Sequence, residues 1–124
     1  MDNNRVNFVV NEKNGIVAAE IKGCEWDAET MMNNRFIPSV TSSFTVSNKY
    51  RNDKYNMNFK YRTIARLHPE DEWDENRGKI VANNKLTEAY HDSMNKRLAM
   101  YAKDFRKIAE NIEQYLADRH FYEN

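Results

Sequence analysis

Cysteine occurs once in the 124 residues, as Cys24, proline twice and glycine three times. A lone cysteine excludes an intrachain disulfide and points to a reducing, cytoplasmic setting. With so few glycines there is no phosphate-cradling loop, neither GxGxxG nor GxxxxGK[ST]. Charge of one sign is also lacking. Nineteen basic residues face nineteen acidic ones, so no general field draws in nucleic acid or an anionic membrane, and neither is expected as a partner. No apolar run is long enough to span a bilayer, and the opening MDNNRVNFVV lacks the basic-then-apolar layout of a secretory leader.

Chemistry-bearing patterns are equally sparse. His68, His91 and His120 have no local ligand spacing. The acids between residues 71 and 78 miss the calcium-loop register, because Lys79 stands where glycine is needed if Asp74 is the first ligand. Cys24 with His68 or His91 forms no nucleophile motif. The expectation is a protein with no catalytic residues, no metal and no cofactor.

What is present is a chain of 40% apolar and 31% charged residues, suited to one small globular domain over residues 1–124. Its first half alternates at period two. Val6, Phe8 and Val10 would share one face of a strand, Asn14-Gly15 would turn the chain, and Val17, Ala19 and Ile21 would point to one side of the returning strand. Residues 26–34 could form a short helix. Phe44, Val46 and Tyr50 suggest a third strand, and residues 55–67 a longer one after a polar turn at 51–54. After Pro69 the period changes. Acids at 70–75 suit a helix start, and Leu86, Tyr90, Met94, Leu98, Tyr101, Phe105, Ile108, Ile112 and Tyr115 then recur at spacings of four or three. The fold expected is α+β, a small antiparallel sheet over residues 1–68 followed by one very long or two paired C-terminal helices over 69–124. Unbroken from 74 to 118, the helix would be roughly 66 Å long at about 1.5 Å per residue. Such a rod either folds back near residues 91–93 or meets another subunit, and homo-oligomerisation through the C-terminal helices is expected.

Residues 62–84 hold the candidate site. Arg62, Ile64 and Arg66 share one strand face, and arginine offers a rigid fork for phosphate. That strand runs into His68 and a helix N-terminus, which also favours anions, with Arg77 just beyond. Nearby acids could neutralise those arginines or bind ribose hydroxyls. Trp73 and Trp26 could stack on a nucleobase, although tryptophan serves more often in a core. Asn83 is a mediocre helix former whose amide could read a base or a hydroxyl.

The stretch also runs from a strand through Ala65-Arg66, Pro69, Asp71 and Trp73-Asp74 to a helix that carries Gly78 and Ala82. In this pattern, and in the layout of sheet, junction and C-terminal helices, the chain resembles the Thoeris anti-defence 1 family of phage proteins. Trp73 stands where that family more often carries phenylalanine. The resemblance implies a phage sponge in the host bacterial cytoplasm. It would sequester glycocyclic ADP-ribose signals made by TIR-domain enzymes without cleaving them, and so inhibit Thoeris immunity. It further implies that subunits self-associate with ligand sites close to where they meet, that Trp73 and Asp74 contact nucleobase or ribose, and that Asn83 is a polar ligand contact. Two other readings stand beside it: a phage inhibitor that binds a host protein directly, and a structural protein that uses its helices for assembly. A nucleic-acid mimic would carry an uninterrupted acidic face, whereas this helix mixes Lys96, Arg97, Lys103, Arg106 and Lys107 with its acids.

Overall fold

The computed structural model describes residues 5–24, 26–41, 44–46 and 61–123, with side chains through 119. Strand β1 (Val6–Asn11) pairs antiparallel with β2 (Ile16–Ile21), and β2 pairs antiparallel with β3 (Arg62–Arg66), giving the order β1-β2-β3. Helix α1 (Asp27–Met31) continues as a π-helical turn (Met32–Phe36) and a 3₁₀ turn (Ile37–Ser39). Helix α2 (Glu75–Glu123) completes the chain. The protein is thus α+β, a small antiparallel sheet followed by one long helix.

Local sequence explains the hairpin. Asn11 accepts a hydrogen bond from the Asn14 N–H through its side-chain Oδ1, at 3.2 Å. Gly15 then takes φ +65°, which side chains rarely tolerate. Register sets the two faces of the sheet. Val17, Ala19, Ile21 and Ala65 are buried with Ala82 and Leu86 of α2, and Val6, Phe8, Val10 and Trp73 pack at the margin. The opposite face carries Val9, Ala18 and Ile64, with Ala18 opposite both of the others. Arg62 and Arg66 lie on this outer face as well, by alternation with Ala65.

α2 starts where the acids suggest. Asp74 accepts the Arg77 backbone N–H through Oδ1 at 3.1 Å, as an N-cap does. Gly78 and Ala82, one turn apart, bring the helix close to the sheet. A Cβ on Gly78 would meet Val17 at 2.6 Å, and Ala82 is fully buried. Above them a second core forms, where Ala28, Met32 and Ile37 pack on Met94 and Tyr101. Of the two helical arrangements anticipated, the structure shows the unbroken one. Residues 91–93 stay helical, and Ser93 is buried there. The helix is 49 residues long, roughly 73 Å at about 1.5 Å per residue. Among the described residues no helix is long and apolar enough to cross a membrane.

The third strand expected at Phe44 and Val46 is absent: neither residue is in a strand. Asn33 takes the place of a pairing strand, because its amide Nδ2 donates to Val46 O at 2.8 Å and its Oδ1 accepts from Val46 N at 2.7 Å. Phe44 instead meets Phe105 edge to face, with ring centroids 6.1 Å apart. Tyr50, the turn at 51–54 and residues 55–60 of the longer strand lie outside the described residues. The described part of that strand is Arg62–Arg66.

Candidate functional site

Four structural pieces converge at one end of the sheet. The hairpin turn brings Gly15 and Val17, the end of β3 brings Ala65, Arg66 and Leu67, the junction brings His68, Asp71, Glu72, Trp73 and Asp74, and the first turns of α2 bring Arg77, Gly78 and Val81. Between them lies a cleft of about 180 Å³. The β2–β3 ladder extends into its wall, since Leu67 N donates to Gly15 O at 2.7 Å. Gly15 is needed there twice, for its positive φ and because a Cβ would come within 2.9 Å of Leu67 Cβ. The junction turns tightly through a bond from Asp71 N to His68 O at 2.9 Å.

Of the residues singled out from sequence, Arg66, Trp73, Asp74 and Arg77 line this cleft. Trp73 is half-buried and packs on the sheet–helix core, so it is both a core margin and a cleft wall. Asp74 commits one carboxylate oxygen to capping α2. Its charge already answers the helix N-terminus, which lowers that terminus's call for a further anion. Arg66 and Arg77 are exposed on the rim. Three acidic residues, Asp71, Glu72 and Asp74, share the cleft lining with these two arginines, so the cleft has mixed charge rather than a cationic field.

Three residues are placed elsewhere. Arg62 lies opposite Glu20 in the ladder and forms an ion pair with it at 3.2 Å, away from the cleft. Paired gripping of one ligand by Arg62 and Arg66 is therefore not set up in this geometry. Asn83 lies on α2 beyond the cleft, half-buried, and its Oδ1 has no hydrogen-bond partner among the described residues. Trp26 sits at the start of α1, 44% exposed, and is not part of the cleft lining. Sequence reading did not single out Gly15, Val17, Leu67 or Val81 as cleft walls. Only the strand register, which sets Ile16 opposite Arg66, brings the hairpin turn to the junction.

A second polar cluster ties the N-terminal strand to both helices. Arg5 forms an ion pair with Asp27 at 2.8 Å and donates to Gly23 O at 2.9 Å. Tyr90 of α2 donates its hydroxyl to the same Asp27 carboxylate. Burial, reinforced by the bond to Asp27, pushes the Tyr90 phenol up to about 12. The hydrogen bond to Asp27 also raises Arg5. Arg97, 2% exposed, is lowered by burial. These groups sit inside the packing between elements, where they fix orientation. Among the described residues no group of three His, Cys, Asp or Glu side chains is placed to hold a metal ion.

Comparison of the chain with protein-family models, curated proteins and solved structures gave no match.

Proposed function

We propose that the chain binds a nucleotide-type signal in the junction cleft and holds it intact. The observation that carries this reading is the meeting of Trp73, Arg66, Arg77 and three carboxylates around one opening. An aromatic wall suits a base, guanidiniums suit phosphate, and carboxylates suit ribose hydroxyls. The cleft's 180 Å³ is below the roughly 300 Å³ at which small-molecule sites begin. It therefore fits the nucleoside part of a larger ligand, leaving the remainder on the open rim beside Arg66 and Arg77.

Together with the sequence resemblance, this supports a phage protein that sequesters a glycocyclic ADP-ribose-type signal in the host bacterial cytoplasm and so inhibits Thoeris immunity. The protein self-associates through the distal part of α2, where Ile108, Ile112, Tyr115 and Leu116 are each more than half exposed.

The test is to incubate the protein with cyclic ADP-ribose isomers and cyclic dinucleotides, remove unbound material, and heat the complex. Chromatography should return one of the ADP-ribose isomers unchanged. Recovery of linear ADP-ribose would make the protein an enzyme, and retention of no nucleotide would overturn the reading.

A further inference from the structure

Apolar and charged residues of the junction cleft sit at different depths. Gly15, Val17 and Ala65 are buried, Trp73 and Gly78 are half-buried, and all five line the opening. Arg66, His68, Asp71, Glu72, Asp74 and Arg77 line it too, and every one of them is exposed. Among the described residues the floor is therefore hydrocarbon and backbone, with charge confined to the mouth. The floor's backbone is largely committed. Gly15 O accepts Leu67 N at 2.7 Å. Val17 lies opposite Ala65 two residues further along the same ladder, the spacing at which antiparallel residues exchange both of their hydrogen bonds. Among the described floor residues the Trp73 indole N–H is the one polar side-chain atom, and it can donate but not accept.

We infer that the cleft selects its nucleobase by exclusion: a purine enters edge first, and hydrogen-bond donors on that inner edge are penalised, so adenine is held in preference to guanine. This rests on the nucleotide reading proposed above and specifies its base. The division of charge sets the orientation. Ribose and phosphate need the carboxylates and guanidiniums at the mouth, so the glycosidic nitrogen points outward. On a purine the amino- or oxo-bearing edge lies across the ring system from that nitrogen, and so points inward. There a ring acceptor can take the indole N–H, whereas a donor meets hydrocarbon. A buried donor without an acceptor gives up its bonds to water and regains nothing. Adenine brings one such group, its exocyclic amine. Guanine brings two, a ring N–H and an amine. A purine with hydrogen in place of the amine brings none.

Close packing holds the inner edge at this floor. A Cβ on Gly78 would already meet Val17 Cγ2 at 2.6 Å, and Ala65 is only 7% exposed, so strand and helix close the cleft from below. The base cannot pass between them to another polar group. At the mouth, Asp74 Oδ1 is bonded to Arg77 N, and the remaining carboxylate oxygens stand beside the sugar rather than the inner edge. The selectivity that results is the reverse of a site that grips adenine through an amide, where removing the amine costs binding strongly.

The test titrates the full chain, labelled with nitrogen-15, with the 5′-monophosphates of adenosine, guanosine and purine riboside. The Trp73 indole signal is followed by magnetic resonance and assigned by its absence in Trp73→Phe. Purine riboside monophosphate should bind as tightly as adenosine monophosphate or tighter. Guanosine monophosphate should bind roughly fivefold to a hundredfold more weakly than the adenosine form, since it buries one further unpaired donor. Ala65→Ser sets a hydroxyl on the floor that can accept, and should shift the preference toward the adenosine form. Purine riboside monophosphate bound fivefold or more weakly than adenosine monophosphate would reveal a hydrogen bond to the amine. That would overturn the exclusion and leave nucleotide binding in place. Equal affinity for the guanosine and adenosine forms, or unchanged ratios in folded A65S, would put the base edge away from the floor, with the same consequence. Three probes that all leave the Trp73 signal unmoved at millimolar concentration would overturn the nucleotide reading and this inference together.

Discussion

A methyl group placed on Gly78 would lie 2.6 Å from Cγ2 of Val17, in the middle of the sheet's buried face. Helix propensity alone favours alanine over glycine by about 1 kcal/mol, yet the crowding of a strand against a helix costs about 1–3 kcal/mol. Gly78→Ala is therefore expected to lower the melting temperature. Because Gly78 also lines the cleft, the same change should weaken ligand retention by moving the helix off β2. A higher melting temperature would show that α2 has room to shift outward.

Arg62 and Arg66 separate a ligand role from a structural one. Arg66→Ala should weaken nucleotide binding and flatten its salt dependence, since it removes a cation from the rim. Arg62→Ala should leave binding unchanged, because its partner is Glu20 on the outer sheet face. Calorimetry at two salt concentrations distinguishes them. Equal losses for both would extend the site from the cleft rim along the outer face that the two arginines share.

Asp74 has two candidate duties, which substitution can divide. Asp74→Ala removes the cap and should cost about 0.5–2 kcal/mol of stability. Asp74→Asn keeps a capping oxygen and should unfold near the wild-type temperature. If D74N nonetheless loses affinity, the carboxylate touches the ligand as well. Unchanged affinity would leave Asp74 as the helix cap alone.

For Trp73→Ala the expected loss is about 1–3 kcal/mol of base stacking, roughly tenfold to a hundredfold in affinity. Melting should also fall, because Trp73 packs on the core. Trp73→Phe keeps an aromatic face and should recover most of the binding. Binding unaffected in folded W73A would assign the ring to packing only.

Tyr90 gives the protein an alkaline limit. Its phenol is raised from the ordinary value near 10 to about 12 in the folded state. A raised acid contributes stability that is fully present below pH 10 and is lost as pH climbs toward 12. Denaturant midpoints measured from pH 9 to 12 should fall, and those of Tyr90→Phe should fall less steeply across the same window. Parallel profiles would mean the phenol titrates normally.

The hairpin, the helix start and the unbroken stripe were legible because each is a local signal. Asn14-Gly15 fixes a turn, Asp74 caps three residues ahead, and a periodic face needs no knowledge of its partner. Phe44 and Val46 misled for the opposite reason. Alternating apolar residues describe a strand only when another strand is there to pair, and here the Asn33 side chain takes up the Val46 backbone. The candidate site was legible in part. Arg66, Trp73, Asp74 and Arg77 are close in sequence and were found together, while Gly15, Val17 and Val81 join them only through strand register and helix packing. Arg62 shares a strand face with Arg66, but the ion pair that holds it depends on which residue of β2 lies opposite.

The sheet's connectivity also orders its assembly in time. Val10 meets Val17 across a tight turn, whereas Ile16 meets Arg66 only after the chain has returned from a long excursion. Local pairings and helix turns form on the microsecond scale, while distant strands must first close their loop. Each doubling of that loop adds only about 0.6 kcal/mol of closure entropy, so the cost falls mainly on rate. Docking of β3 is thus the late event, and it is the event that brings Arg66 and Leu67 to Gly15. A ligand that needs every wall of the cleft recognises the chain only once its slowest strand has arrived.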